Sequence, residues 1–317
     1  MESTVEHTSY FVPCVSVLPG FDELSINVQG YRLHRRAWEV STFDLATLAT
    51  RHKLHLPYQL MDVFLSGPTH LEIEITAASS REDAMSRIER FRAMLYINGV
   101  SPFIIPFVAS HSFNHYAGIN SRDSDLLISK LPEGMRSGIV SASSSVEVWP
   151  YELSLMTLVA RESKPVTAEI AHRAAWQAQQ ARSLEQKHPE LAAVRFALTA
   201  APQITQLGSS LLHLWTGMES LFPNVRAEVS FRISLLLAEL VSPIASPSVV
   251  YEAAKRSYTH RSNAAHGNLK KIGDEEWREA WELLCNCLLA VLHRGDLPGE
   301  SALLTAMLAK SEMQNHG

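Results

Sequence analysis

Leu211–Phe222 reads LLHLWTGMESLF, and Phe231–Leu240, a few residues later, reads FRISLLLAEL. Leu211, Leu214, Met218 and Leu221 recur at three- and four-residue steps, the spacing of a single helix face. Val229, Ile233, Leu236 and Leu240 form a second stripe, stopped by Ser242-Pro243 because proline cannot continue a helix. Upstream, Thr167–Lys187 (TAEIAHRAAWQAQQARSLEQK) is rich in strong helix formers. His188-Pro189 ends that helix, and Pro189-Glu190 opens another over Leu191–Thr199. Downstream, a helix is expected near Val249–Tyr258, then a long one with Asp274 as N-cap and Glu275 and Glu276 in its first turn. Trp277, Trp281, Leu284, Leu288 and Val291 make its apolar face, and Ser301–Lys310 adds a short helix. Residues 165–312 therefore read as an all-α domain of about five helices.

Residues 1–160 have a different period and predict an α+β domain. VPCVSVLPGFDELSINV, between Phe11 and Val28, suggests strands joined by a turn at Pro19-Gly20. Tyr31–Thr50 fits neither period cleanly. Leu71-Glu72-Ile73-Glu74-Ile75 alternates apolar and acidic residues, as a half-buried strand does. Ser79-Ser80-Arg81-Glu82 then starts a helix carrying Ala84, Ile88, Phe91 and Leu95, with Gly99 as its C-cap. Phe103-Ile104-Ile105 and Phe107-Val108 read as a further strand, placed at an edge or bulge by Pro106. Gly118–Ser145 is loop-rich, and the domain boundary is expected between Ser141 and Lys164.

The chain's 317 residues are enough for about two domains, and a composition of 46% hydrophobic and 19% charged residues is that of a globular protein. Its formal charge of −5 supplies no global basic field, so any polyanion site must be a local patch. Three cysteines, Cys14, Cys285 and Cys287, are too few for a disulfide framework or a four-cysteine zinc site. Cys285 and Cys287 read as buried structural thiols in an apolar helix. The opening MESTVEHTSYFVPC is not basic then apolar, and SPFIIPFVAS is about half a membrane span. The expectation is a cytoplasmic protein with no membrane partner.

No phosphate-binding glycine loop, dinucleotide fingerprint, H-E-x-x-H or serine elbow is present, so neither cofactor nor metal is expected. His111 and His115 lack a nearby acid or cysteine ligand. The exception is Tyr251–Ile272, YEAAKRSYTHRSNAAHGNLKKI. It sets five basic residues (Lys255, Arg256, Arg261, Lys270 and Lys271) against one acid, Glu252, and also holds His260, Asn263 and His266. From Asp274 onward the balance reverses, to three basic and eight acidic residues. A permanent cation to hold a phosphate and an imidazole to move protons are the parts of metal-independent phosphodiester cleavage. A solvated helix end with ordinary ion pairs is the bland reading of the same residues.

Three ordered segments resemble the HEPN superfamily, and more narrowly the Apea-like HEPN domains: LLHLWTGMESLF, FRISLLLAEL, and Arg261-Ser-Asn-Ala-Ala-His266-Gly267. The likeness covers Ala192–Asp296, about a third of the chain. It implies a helical bundle that forms a homodimer, with Arg and His from both copies facing one cleft. Active family members are metal-independent endoribonucleases, many of them toxins or antiviral effectors. The matching catalytic residues are Arg261, to stabilise the phosphoryl oxygens, and His266, to assist 2′-OH attack or protonate the leaving oxygen. The products would carry a 2′,3′-cyclic phosphate and a 5′-OH, and DNA would resist. Glu219 would support the site by orienting Arg261 or His266, or else form a structural salt bridge. Ser262 stands where active members often have Asn, Asp or His, and Asn263 either substitutes for it or caps a helix. Lys255, Arg256, Lys270 and Lys271 are the candidate RNA contacts.

Five helical steps separate Arg261 from His266 by about 140° around an ideal helix, so one chain alone does not put them on one face. A catalytically silent HEPN dimer, serving as a nucleotide- or RNA-binding or protein-interaction module, is the competing reading. The N-terminal domain, which carries no chemistry of its own, would sense a regulatory ligand or protein, or restrain the nuclease.

Overall fold

The structure is a computed structural model that describes residues 8–56, 58–149, 164–268 and 272–314. In chain order the first part contains β1 (Thr8–Cys14), β2 (Ser25–Val28), β3 (Tyr31–Arg36), α1 (Thr42–His52), α2 (Tyr58–Leu65), β4 (His70–Ala78), α3 (Arg81–Ile97) and β5 (Phe107–Ala109). Three single-turn helices follow, α4 (Ile119–Arg122), α5 (Asp125–Ile128) and α6 (Glu133–Arg136), then β6 (Val146–Val148). The second part is helical throughout: α7 (Ala168–Lys187), α8 (Glu190–Ala200), α9 (Leu207–Ser220), α10 (Val229–Val241), α11 (Pro247–Ala265), α12 (Asp274–Arg294) and α13 (Glu300–Gln314). An antiparallel sheet region thus precedes a helical part, the coarse order that the change of period indicates.

The strands form one sheet in the order β2-β3-β4-β1-β5-β6, every neighbouring pair antiparallel. Sheet position corrects the expectation for β4. Lying between β3 and β1, it is covered on both faces: Leu71, Ile73 and Ile75 are buried, and so are Glu72 and Glu74. Burying a carboxylate is tolerated only when its oxygens are hydrogen-bonded. Glu72 accepts from Ser112 Oγ at 2.7 Å, Phe113 N at 2.6 Å and Arg36 Nε at 3.1 Å. Glu74 accepts from Ser9 Oγ at 2.8 Å and lies 3.0 Å from His34 Nε2. The ambiguous Tyr31–Thr50 stretch resolves into β3 and α1. Ile104 makes only an isolated bridge to Val15, and the regular strand β5 begins after Pro106.

Two compact units divide the described residues, and they interleave along the sequence. One takes the chain up to Ile88, resumes at Val100 and includes residues up to Ala175; the other takes Glu89–Gly99 and the chain from Trp176 on. A single boundary near residues 160–165 therefore differs from the packing. Glu89–Gly99 groups with the helical residues, to which polar contacts join it: Thr199 Oγ1 donates to Glu89 at 2.7 Å, and Arg92 Nη2 donates to Thr199 O at 3.1 Å.

The helical part contains seven helices among the described residues, more than the overall figure of about five but one for each stretch named from the sequence. Their apolar stripes are buried as the spacing predicts, including Leu211, Leu214, Met218, Ile233, Leu236, Leu240 and Trp277. Indole N–H groups in this core find partners, as buried donors must. Trp277 Nε1 donates to Ser210 Oγ at 2.6 Å, and Ser210 Oγ donates to Ala201 O at 2.6 Å. No helix among the described residues is long and apolar enough to cross a membrane.

Candidate functional site

The site is built where α9 meets α11. Pro247 starts α11 within its first turn, and the helix runs through Arg261 to Ala265 instead of stopping near Tyr258. Trp215 is fully buried on α9; its Nε1 donates to Ser257 Oγ at 3.0 Å, and its ring meets Tyr258 edge-on with centroids 5.1 Å apart. One helical turn onward on each helix, Glu219 meets Arg261. Arg261 Nη2 lies 3.0 Å from Glu219 Oε1 and donates to Oε2 at 3.2 Å. Equal four-residue steps on both helices mean that they run in the same direction here. The Arg261 guanidinium also lies over the Tyr258 ring, 5.5 Å from its centroid. Both charged side chains remain about one-third exposed, at 30% and 29%.

His266 occupies the other end of the constellation. It is the C-cap of α11, and its N–H donates to Ser262 O at 3.1 Å. Gly267 N donates to Ala264 O at 3.1 Å, Asn268 N donates to Asn263 O at 2.8 Å, and Gly267 has φ +74°. This is a Schellman closure, which requires a left-handed residue after the cap. His266 is exposed, and among the described residues no hydrogen bond or ion pair joins it to Arg261. Ser262 and Asn263 are half-buried, and both serve the closure through their carbonyls.

The neighbouring basic residues divide. Lys255 is exposed, its ammonium 5.9 Å from the Tyr251 ring centroid. Arg256 forms an exposed ion pair with Glu279 at 2.6 Å. Glu276, in the first turn of α12, is held below the usual carboxylate range, chiefly by its hydrogen bond from Gly273 N at 2.9 Å, with a small contribution from His260. The fold therefore brings acids from α9 and α12 to a segment that is basic in sequence. Lys270 and Lys271 lie outside the described residues.

Several contact partners of these residues were not legible in the sequence: Ser257, Tyr258 and Glu279. The signal that could have found the first is the matched spacing of Trp215 to Glu219 and Ser257 to Arg261. Elsewhere, burial pushes the Cys287 thiol up to about 12 and raises that of Cys285 as well, so neither is a ready thiolate. The His111 and His115 rings are 6.5 Å apart, and no group of three or more metal-ligating side chains occurs among the described residues.

No family model, curated protein or solved structure matches this chain. The class that fold and site define is thus an antiparallel-sheet unit with a helical unit that pairs an arginine and a glutamate between parallel helices.

Proposed function

We propose that the helical part is a HEPN-like, metal-independent endoribonuclease that works as a homodimer, in antiviral defence or as a toxin. The observation that carries the reading is the Glu219–Arg261 pair, set by the buried Trp215, one and a half turns before the exposed His266. Glu219 restricts the guanidinium to one orientation while leaving N–H groups for a phosphodiester. In the reaction the ribose 2′-oxygen forms a bond to phosphorus and the bond to the 5′-oxygen breaks. His266 takes the 2′-OH proton or gives one to the departing 5′-oxygen, and Arg261 offsets the charge gathering on the phosphoryl oxygens. A second copy supplies the facing His266, because one chain leaves its own on another side of α11. Lys255 contributes phosphate attraction.

The test is incubation of the full chain with labelled single-stranded RNA in EDTA. Cleavage should persist, leave cyclic phosphate ends and spare DNA. Arg261→Ala and His266→Ala should each slow the chemical step by about 10²- to 10⁴-fold in proteins shown to be folded and dimeric. Activity that vanishes in EDTA yet survives both substitutions refutes the assignment.

A second reading rests on Ser262 and on the ion pairs of Arg261 and Arg256: a silent HEPN dimer that binds a nucleotide, RNA or a protein. It predicts no cleavage by any of these proteins, with the substitutions changing only binding, dimerisation or stability.

A further inference from the structure

Arg122, at the end of α4, is 7% exposed, and no carboxylate pairs with it among the described residues. Its Nε donates to Ile139 O at 2.9 Å and its Nη2 to His115 O at 3.2 Å. Nη1 has no acceptor among the described residues, and it is not among the polar atoms sealed from solvent. The backbone is shaped around this guanidinium. A Cβ on Gly138 would lie 2.9 Å from both its central carbon and Nε, and one on Gly118 would lie 3.1 Å from Nη1. Buried charges are ordinarily paired, since removing an ion from water is costly and carbonyl dipoles offset only part of that cost.

Arg122 lines a cavity of about 440 Å³ together with Arg51, His52, Asp123, Val140 and Ala142. Arg51 and His52 lie in the last turn of α1, where cations are favoured by the helix dipole. Of the acids here, Asp123 is already engaged: it sits 3.4 Å from Arg51 Nε and accepts from Ser141 N at 3.0 Å and from Ser141 Oγ. Asp125 is exposed at the margin. His52 Nε2 lies 3.1 Å from Ser144 Oγ. Among the described residues Arg122 is therefore the cation of this cavity without a paired carboxylate, and it lines a space larger than a bare oxyanion needs.

We propose that this cavity binds a phosphate-bearing small molecule, its oxyanion on Arg122 and Arg51 and its organic remainder against Val140 and Ala142. The volume lies within the range of small-molecule sites. A forked guanidinium suits phosphate because two N–H groups meet two oxygens. The inference is independent of the nuclease reading.

The test titrates the full chain with inorganic phosphate and with AMP by calorimetry, at ionic strength matched with chloride. Saturable binding of one ligand per chain is expected. Tighter binding of AMP assigns an organic phosphate; equal or tighter binding of phosphate assigns the free ion and refutes a role for the organic remainder. Arg122→Gln should abolish binding. Should that variant not fold, exposed Ala142→Glu places a like charge at the wall and should weaken binding by about tenfold or more. Arg261→Ala should leave it unchanged, which separates this site from the proposed nuclease. Absence of saturable binding by either probe, or binding indifferent to Ala142→Glu, overturns the proposal.

Discussion

Arg261 shows how one residue's role depends on a neighbour distant in sequence. Its spacing to His266 was readable, as was the 140° offset that keeps them apart, given a helix of about 100° per residue. Its pairing with Glu219 was readable only as one of two options, because the register between α9 and α11 is fixed by Trp215 and Ser257 across 42 residues. The pair is about one-third exposed, so solvent screening limits its worth as a stabilising ion pair. Glu219→Gln should therefore cost folding little, about 0–1 kcal/mol in chemical denaturation. If Glu219 positions Arg261 for catalysis, the same substitution should lower kcat with little change in KM, and Glu219→Asp should restore part of it. Equal activity of Glu219→Gln and the parent protein would assign the pair to structure alone. Trp215→Phe, by contrast, leaves Ser257 Oγ without its donor inside the core and should destabilise by about 1–3 kcal/mol.

At the scale of elements, the apolar stripes were legible because helical periodicity survives whatever the helices pack against. β4 was less so: alternation reports which residues are polar, and partners such as Ser112 and Arg36 decide whether the polar face is buried. Two glycines carry element-scale predictions. Gly267 closes α11 at φ +74°, and a Cβ there meets nothing within 4 Å among the described residues, so the cost of Gly267→Ala is backbone strain. That cost should be about 1 kcal/mol, seen as a lower denaturation midpoint with frayed exchange at the end of α11. Gly217 is different. It lies in α9, where an added Cβ would sit 2.6 Å from Ala197 Cβ on α8. Gly217→Ala forces the two helices apart and should cost about 1–3 kcal/mol, with the loss partly recovered in the Gly217→Ala, Ala197→Gly double variant. A single variant as stable as the parent would show that α8 and α9 separate freely.

For the whole molecule, the order of sheet region then helices could be read from the change in period, whereas the assignment of Glu89–Gly99 to the helical unit could not. Local pattern says where a helix begins and ends, not which distant carbonyl its arginine will reach. A chain starting at Lys164 would lack Glu89 and Arg92, leaving Thr199 without their hydrogen bonds, and should melt below the full-length protein. The acid response belongs to this scale too, because histidines in both units shift in one direction. His34, His52, His70, His111 and His213 are all lowered from 6.5, in each case chiefly by burial, with Glu74 opposing the shift at His34. Their unfolded forms bind protons first as pH falls from 6.5, so the unfolded state then carries more protons than the native one. Stability should be full above the unfolded value and decline as pH falls through the lowered folded values. Urea denaturation between about pH 7.5 and pH 5 should show this slope. His213→Gln should flatten it, since that ring is half-buried against Phe196 with centroids 5.2 Å apart and its Nε2 has no partner among the described residues. A stability that is level or rising as pH drops through this window would mean that these imidazoles are protonated in the native fold.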